Sequence, residues 1–293
     1  MNIGERIKEL RLRKQMTQAD LAGESVSRNM VSLIEHGRAT PSVQTLEAIA
    51  AKLKVTPALL IADEKEWAAL LKQETVFDIR IAFSGHNYRI CADLCRDLYK
   101  NGLEKDDEVD LVMAESLLAL AREAFLSDHI RVCCQLLDEA VLYAERTVYY
   151  TEHILSAAWW FFEYLGLLSP SLVSENLSTA FVASEHLQKD VYCRYIRAVI
   201  EEGTEEFSQL PSDPVVAELL AAHIRSRHCM KMQEYEKATN ILADILHSPD
   251  ILPGIVMYHV FCDIEECCRR LGNRKNEVNY REAKLSIFEK LLS

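Results

Sequence analysis

The chain has 293 residues and a formal net charge of −12, with 49% hydrophobic and only 8% aromatic residues. That length suggests two domains, and nine Gly with seven Pro speak against an all-β fold and for long helices joined by short turns. No run of 18 or more apolar residues occurs, which excludes a membrane-spanning helix, and the charged, amphipathic opening MNIGERIKEL has no signal-peptide apolar region, so a cytoplasmic protein is expected.

Charge is spread unevenly. Residues 1–63 carry 9 Lys/Arg against 7 Asp/Glu, and the remainder carries 24 against 38. A slightly basic head on an acidic body fits local, oriented contact with DNA better than nonspecific coating of nucleic acid.

The first predicted helix runs from Ile3 to Met16, with Ile7 and Leu10 on its apolar side. Thr17 is a suitable N-cap for a second short helix carrying Ala19, Leu21 and Ala22 as its apolar face. A tight turn follows, with Val26 as an apolar plug and Ser27 as the cap of a third helix. Val31 and Ile34 face one way on that helix; Arg28, Asn29 and Ser32 face the other. Gly37 is placed to end it. Pro41 breaks the chain, and Ser42 caps a fourth helix with Val43, Leu46, Ile49, Ala50 and Leu53 on its apolar face. Thr56 and Pro57 supply the N-cap and N1 of a fifth, PALLIADE. A helix held by its apolar side with a Ser/Arg/Asn side free is the shape that enters a DNA major groove.

The runs TQADLA, SRNMVSLIEHG and PSVQTLEAIAAKLKV give residues 3–61 a resemblance to the helix-turn-helix of the phage-repressor and Cro type, the XRE family. The resemblance implies a sugar-phosphate contact from Gln18 and base-edge readers at Ser27, Arg28, Asn29, Met30 and Ser32. It also implies a phosphate contact at Arg38, and a structural pair between Glu35 and Arg11. The turn between the second and third helices reads one residue shorter than in the phage repressors, and Gly23 sits earlier than their turn glycine.

Residues 64–72 (DEKEWAALLK begins at Asp63) lack Gly and Pro and read as a helical linker with Trp67, Leu70 and Leu71 as its packing face. From 73 to 293 the chain is almost wholly amphipathic-helical, punctuated at Gly85, Asn101–Gly102, Ser169–Pro170, Gly203, Pro211 to Pro214, Ser248 to Gly254 and Gly272. Three stretches align: HNYRICADLCRDL at 86–98, DHIRVCCQLLDEA at 128–140 and QEYEKATNILADI at 233–245. Each has a small residue (Cys91, Cys133, Ala238) followed four later by an apolar one (Cys95, Leu137, Leu242). They resemble the second helix of a tetratricopeptide repeat, a helix pair of about 34 residues. Residues 257–292 read as a final pair broken at Gly272. The predicted fold is therefore all-α: a five-helix, lambda-repressor-like head over 1–63 and an α-solenoid of tetratricopeptide-like pairs over 73–293.

Eleven residues before each small position stand Arg80, Arg122 and Arg227, and three further on stand Phe83, Phe125 and Met230. The tetratricopeptide resemblance places both rows on the concave groove, where they suit an extended peptide carrying a carboxylate. The alternative has the arginines neutralising nearby Glu and the Phe/Met in the core. His223, one turn from Arg227, is a further groove candidate, with a solvated histidine as the alternative. Trp159–Trp160–Phe161–Phe162 reads as core.

There is no Gly-rich phosphate loop, no HExxH and no GxSxG, and the nine Cys form no CxxC pair. No catalytic residue, metal site or cofactor is expected, and the cysteines read as small buried hydrophobes. A helix-turn-helix head followed by such repeats resembles the peptide-pheromone receptors of Gram-positive bacteria, the RRNPP group. That resemblance implies a homodimeric, DNA-binding transcriptional regulator on a two-fold operator, gated by a signalling peptide bound in the repeat domain. Groove asparagines are frequent in that group; none falls on the phased positions here. A protein-interaction adaptor, with repeats that bind a partner protein, is the competing reading.

Overall fold

The structure, a computed structural model, describes residues 2–23, 26–100, 105–172, 191–201, 214–248 and 252–292. The breaks expected at Asn101–Gly102, Gly203 and Pro211 lie outside the described residues, as does much of 150–210. Fifteen α-helices are described: α1 (Ile3–Arg13), α2 (Gln18–Leu21), α3 (Arg28–Glu35), α4 (Val43–Leu53), α5 (Pro57–Ile61), α6 (Glu64–Ser84), α7 (Tyr88–Lys100), α8 (Asp107–Leu126), α9 (Ile130–Arg146), α10 (Glu152–Leu168), α11 (Val191–Ile200), α12 (Pro214–Lys231), α13 (Tyr235–His247), α14 (Gly254–Arg270) and α15 (Arg274–Leu292). Among the described residues there is no strand, only an isolated bridge between Gly23 and Val26. The all-α expectation holds. Among the described residues no helix is long and apolar enough to cross a membrane.

The chain divides into two compact units. One comprises Met1–His86 with Asp93–Lys105, the other Asn87–Ala92 with Asp106–Ser293.

In the first unit, Ile7, Leu10, Leu21, Val31, Ile34, Ile49, Leu53, Leu59 and Leu60 form one buried core. Leu71 of α6 joins it, and Trp67 and Leu70 pack against it. The caps follow the sequence. Asn2 and Glu5 close a capping box on α1, and Thr17 and Asp20 close one on α2. Ser27 and Ser42 accept from Met30 N–H and Thr45 N–H. Arg6 lies buried in the head, its Nη1 donating to the carbonyls of Leu60 and Ala62 at the C-terminus of α5, where a cation opposes the helix dipole. Val43 differs from expectation. It is 74% exposed, at the first position of α4, while Leu46 and Ile49 enter the core.

The aligned stretches share a backbone turn in the structure. His86, Asp128, Gln233 and Gly272 all have positive φ, at 56°, 60°, 62° and 72°. Each donates its N–H to the carbonyl three residues back: Phe83, Phe125, Met230 and Arg269. In each case a helix begins two residues on. A left-handed residue after a helix satisfies carbonyls that would otherwise be orphaned and reverses the chain, so a helix pair results. Cys91, Cys133 and Ala238 are all fully buried, as the small positions require.

In the second unit each helix packs on its neighbour in the chain: α8 on α9, α9 on α10, α10 on α11, α12 on α13, α13 on α14 and α14 on α15. Contacts of α8 with α10 and of α12 with α14 add a second layer of packing. Trp160, Phe161 and Phe162 are buried in the shared core. The carboxylate of Asp128, in the turn after α8, accepts from Ile255 N–H (3.3 Å) and so caps α14. Glu265 of α14, 3% exposed, is held by Arg269 and by Arg281 and Lys284 of α15. None of the nine cysteines is in a disulfide, and seven of them are buried.

Candidate nucleic-acid interface

The third helix is presented by a buried polar clamp. Arg11 of α1 makes a two-pronged contact with Glu35 at the end of α3, Nε to Oε1 at 2.6 Å and Nη2 to Oε2 at 3.0 Å. The remaining Arg11 nitrogen donates to Met16 O at 2.8 Å. Gln18, opening α2, donates its amide N–H to Glu35 Oε2 at 2.8 Å. Three helices are thereby tied at one carboxylate, and a charge-assisted bidentate pair fixes orientation as well as energy.

Burial alone would raise the Glu35 carboxyl, but hydrogen bonds from Arg11 and Gln18 and the Arg11 charge outweigh it and hold the group below its ordinary value. A folded value below the unfolded one stabilises the fold above the unfolded value and loses that contribution as pH falls through the folded one. Amide exchange of peptides from 28–35 is therefore expected to accelerate as pH drops below 4.5, after correction for intrinsic exchange, and to lose that dependence in Glu35→Gln. An unchanged pH profile in the variant would deny Glu35 this role.

Held this way, α3 buries Val31, Ile34 and Glu35 and exposes Ser27, Arg28, Asn29 and Met30, with Ser32 half-buried. Gly37, at φ 68°, donates to Ile34 O (2.9 Å), and Arg38 N–H donates to Leu33 O (2.8 Å). This paired closure ends the helix sharply and leaves the Arg38 side chain exposed beside it. Ser27 Oγ is engaged as the cap, and its O–H remains a donor. Gln18 departs from a simple phosphate contact: one amide N–H is committed to Glu35, leaving the second for a backbone oxygen. The connector also differs from the expected tight turn, for residues 22–27 separate α2 from α3. Gly23 and Val26 exchange backbone hydrogen bonds across it, at 2.9 and 3.3 Å. Glu24 and Ser25 lie outside the described residues.

Sequence reasoning missed Gly4. A Cβ there would lie 1.9 Å from Ile34 O, so α1 and α3 touch backbone to backbone. An isolated Gly inside a helical pattern was the available signal.

The groove candidates separate. Arg80 is exposed and Phe83 partly buried in the first unit, and Arg122 is exposed in the second. Phe125 is a correction. It is 1% exposed and packs edge-on against Phe161 at 5.0 Å, with Tyr192 and Tyr164 beside it. It sits in the last turn of α8, where the reversal into α9 directs it into the core. His223 is a second correction, neither solvated nor lining a groove. It is fully buried, with Nδ1 2.7 Å from Tyr195 Oη and Nε2 2.9 Å from Asp263 Oδ2. Tyr164 Oη continues the chain to Tyr195 at 3.3 Å. Arg227 Nε stands 3.5 Å from the same Asp263 oxygen. Arg227 and Met230 line a pocket of about 250 Å³ with Ala198, Ile224, His228, Lys231 and Asp263. Among the described residues no cluster suited to a metal ion is present.

Residues 7–60 match the helix-turn-helix family. The immunity repressor protein of Bacillus phage phi105 is 36% identical over 75 residues, which cover 25% of this chain and 49% of the repressor. The chain thus spans about half the length of that curated relative. Among solved structures, Bacillus thuringiensis PlcR, in complex with the peptide PapR7 and DNA, is 16% identical with a TM-score of 0.23, the match covering 99% of this chain and 95% of that one. The competence regulator ComR of Streptococcus vestibularis is 14% identical with a TM-score of 0.20, over 97% and 91% of the two chains. The SHP pheromone receptor Rgg2 of Streptococcus dysgalactiae is 14% identical with a TM-score of 0.19, over 97% and 99%.

Proposed function

We propose, from a head that is a helix-turn-helix domain over residues 7–60, that the chain is a sequence-specific transcriptional regulator. It would act as a cytoplasmic homodimer whose DNA binding is gated by a peptide in the second unit. The observation that carries the reading is the exposed Ser27–Met30 face at the start of α3, locked over the buried Arg11–Glu35 pair and the half-buried Gln18 that joins it. A dimer reading two half-sites about one helical turn apart would recognise a two-fold operator. Arg28 and Asn29 suit base edges by their donor and acceptor sets, with Ser27, Met30 and Ser32 completing the face. Arg38, past the helix end, and the second N–H of Gln18 suit phosphates. The boundary expected at 72 falls inside α6 (Glu64–Ser84), so the regulatory region would be the second unit, Asn87–Ala92 with Asp106–Ser293, rather than all of 73–293.

Fluorescence anisotropy on DNA from upstream of the protein's own gene tests this. Arg28→Ala is expected to lose about 1–3 kcal/mol of preference for the operator over unrelated DNA. Arg38→Ala should weaken binding to every sequence alike and lower the salt slope by about one. Uniform losses in both variants would sink the assignment of roles. No binding at low salt, where phosphate contacts are strongest, would favour the adaptor reading instead.

A further inference from the structure

The exposed side of α3 carries two side chains with no hydrogen-bond donor and at most a weak acceptor. Met30 is 42% exposed and follows Arg28 and Asn29 in the first turn. Leu33 is half-buried. It stands three residues from Met30 and four from Asn29, so it neighbours both on the helix surface. Among the described residues, neither Met30 nor Leu33 belongs to the buried core of the head or to the side chains packed against it. A single exposed apolar residue is ordinary. Two neighbours beside Arg28 and Asn29, outside the core, form an apolar strip on the face offered to DNA. The helix that carries the strip is anchored at both ends: Met30 N–H donates to Ser27 Oγ at 3.2 Å, and the Arg11–Glu35 pair holds the far end.

Such a strip has one complement in the major groove. Base edges there present carbonyl and ring-nitrogen acceptors, amino donors and a single apolar group, the C5-methyl of thymine. A polar edge set against Met30 and Leu33 would lose its water and gain no hydrogen bond, which is unfavourable. A methyl group gains by leaving water. The neighbouring amide agrees with this choice. Adenine N6 and N7 match the acceptor and donor of the Asn29 side chain, and the thymine paired with that adenine projects its methyl into the same groove. The Met30 side chain is unbranched and flexible, so it can follow the methyl as the helix seats.

We infer that α3 selects thymine by its C5-methyl group, with Met30 and Leu33 as the specificity-determining residues and Asn29 taking the adenine of an A·T pair. The inference rests on the DNA-reading role proposed above and names the base chemistry that this face selects. Phosphate contacts release counterions and weaken steeply with salt. An apolar contact to a methyl releases none, so the preference for thymine is independent of salt while the overall affinity is not.

The test uses the full chain to select duplexes from a randomised pool, then resynthesises the best binder with single thymines replaced by uracil. Uracil keeps every hydrogen-bonding group of thymine and lacks only the methyl. In each half-site at least one replacement is expected to weaken wild-type binding about fourfold, as the return of one methyl-sized apolar group to water implies. The factor should be the same at low and high salt. The double variant Met30→Ser, Leu33→Ser should bind the thymine and uracil duplexes alike. Met30→Ser alone should narrow the difference, and its exposed position keeps the head folded. Arg38→Ala should weaken binding to both duplexes and leave their ratio intact. Equal wild-type affinity for thymine and uracil at every position overturns the methyl inference and leaves the DNA-reading role standing. A ratio that survives unchanged in both serine variants overturns the assignment to Met30 and Leu33. Failure to enrich any sequence overturns the DNA-reading role and this inference with it.

Discussion

Gly4→Ala is expected to unfold the head while leaving the second unit folded. The new Cβ would meet Ile34 O at 1.9 Å, the Ile34 carbonyl carbon at 2.9 Å and Glu35 Cα at 3.2 Å. All three are backbone atoms, so no rotamer change relieves the clash. α1 and α3 would have to separate. That movement pulls Arg11 from Glu35 and disturbs the carbonyl that Gly37 N–H uses to close α3. Overpacking a core with room to adjust costs about 1–3 kcal/mol, and a buried ion pair broken on one side costs about 3–5 kcal/mol. A head of this size has only roughly 3–9 kcal/mol of stability in total. Hydrogen exchange should therefore show peptides from 3–13 and 28–35 unprotected and peptides from 107–126 unchanged, and operator binding should vanish. Gly23→Ala is the control, since its Cβ meets only the Lys52 side chain, at 3.7 Å. Wild-type protection of 28–35 in Gly4→Ala would show that the two helices do not approach as described.

The contrast between those glycines shows what a sequence can carry. Caps were legible, because Thr17, Ser27, Ser42 and Gly37 act within four residues of themselves. The repeated small position was legible for the same reason, being part of one helix face. The Arg11–Glu35 pair was reached only through resemblance, as 24 residues separate its members. His223 and Asp263 are 40 apart and Tyr164 and Tyr195 are 31 apart, so no local period marks them as one network. The left-handed residues at His86, Asp128 and Gln233 were hidden by their side chains. None is glycine, and only their equal offset from the buried small residue gives them away.

Phe125→Ala separates the two readings of the residue row that flanks the arginines. If the row lined an open groove, truncating Phe125 would cost little stability and much ligand. The structure puts the ring among Phe161, Tyr164 and Tyr192, at 1% exposure, with Ala121 and Ile130 in the same core. Removing a buried phenyl group forfeits its transfer free energy and leaves a cavity that close-packed neighbours only partly fill, for about 3–5 kcal/mol. For a unit of this size that lowers the melting temperature by roughly 10 °C. Arg122→Ala, one turn earlier on the exposed side of α8, should shift stability by no more than about 0.5 kcal/mol. Calorimetry on the full chain resolves the difference, with the head transition as internal reference. A Phe125→Ala protein that melts like Arg122→Ala would return that ring to the surface and reopen the groove along the whole row. The expected loss of stability takes Phe125 out of the residues proposed to meet a peptide and keeps Arg227 and Met230, which line a pocket.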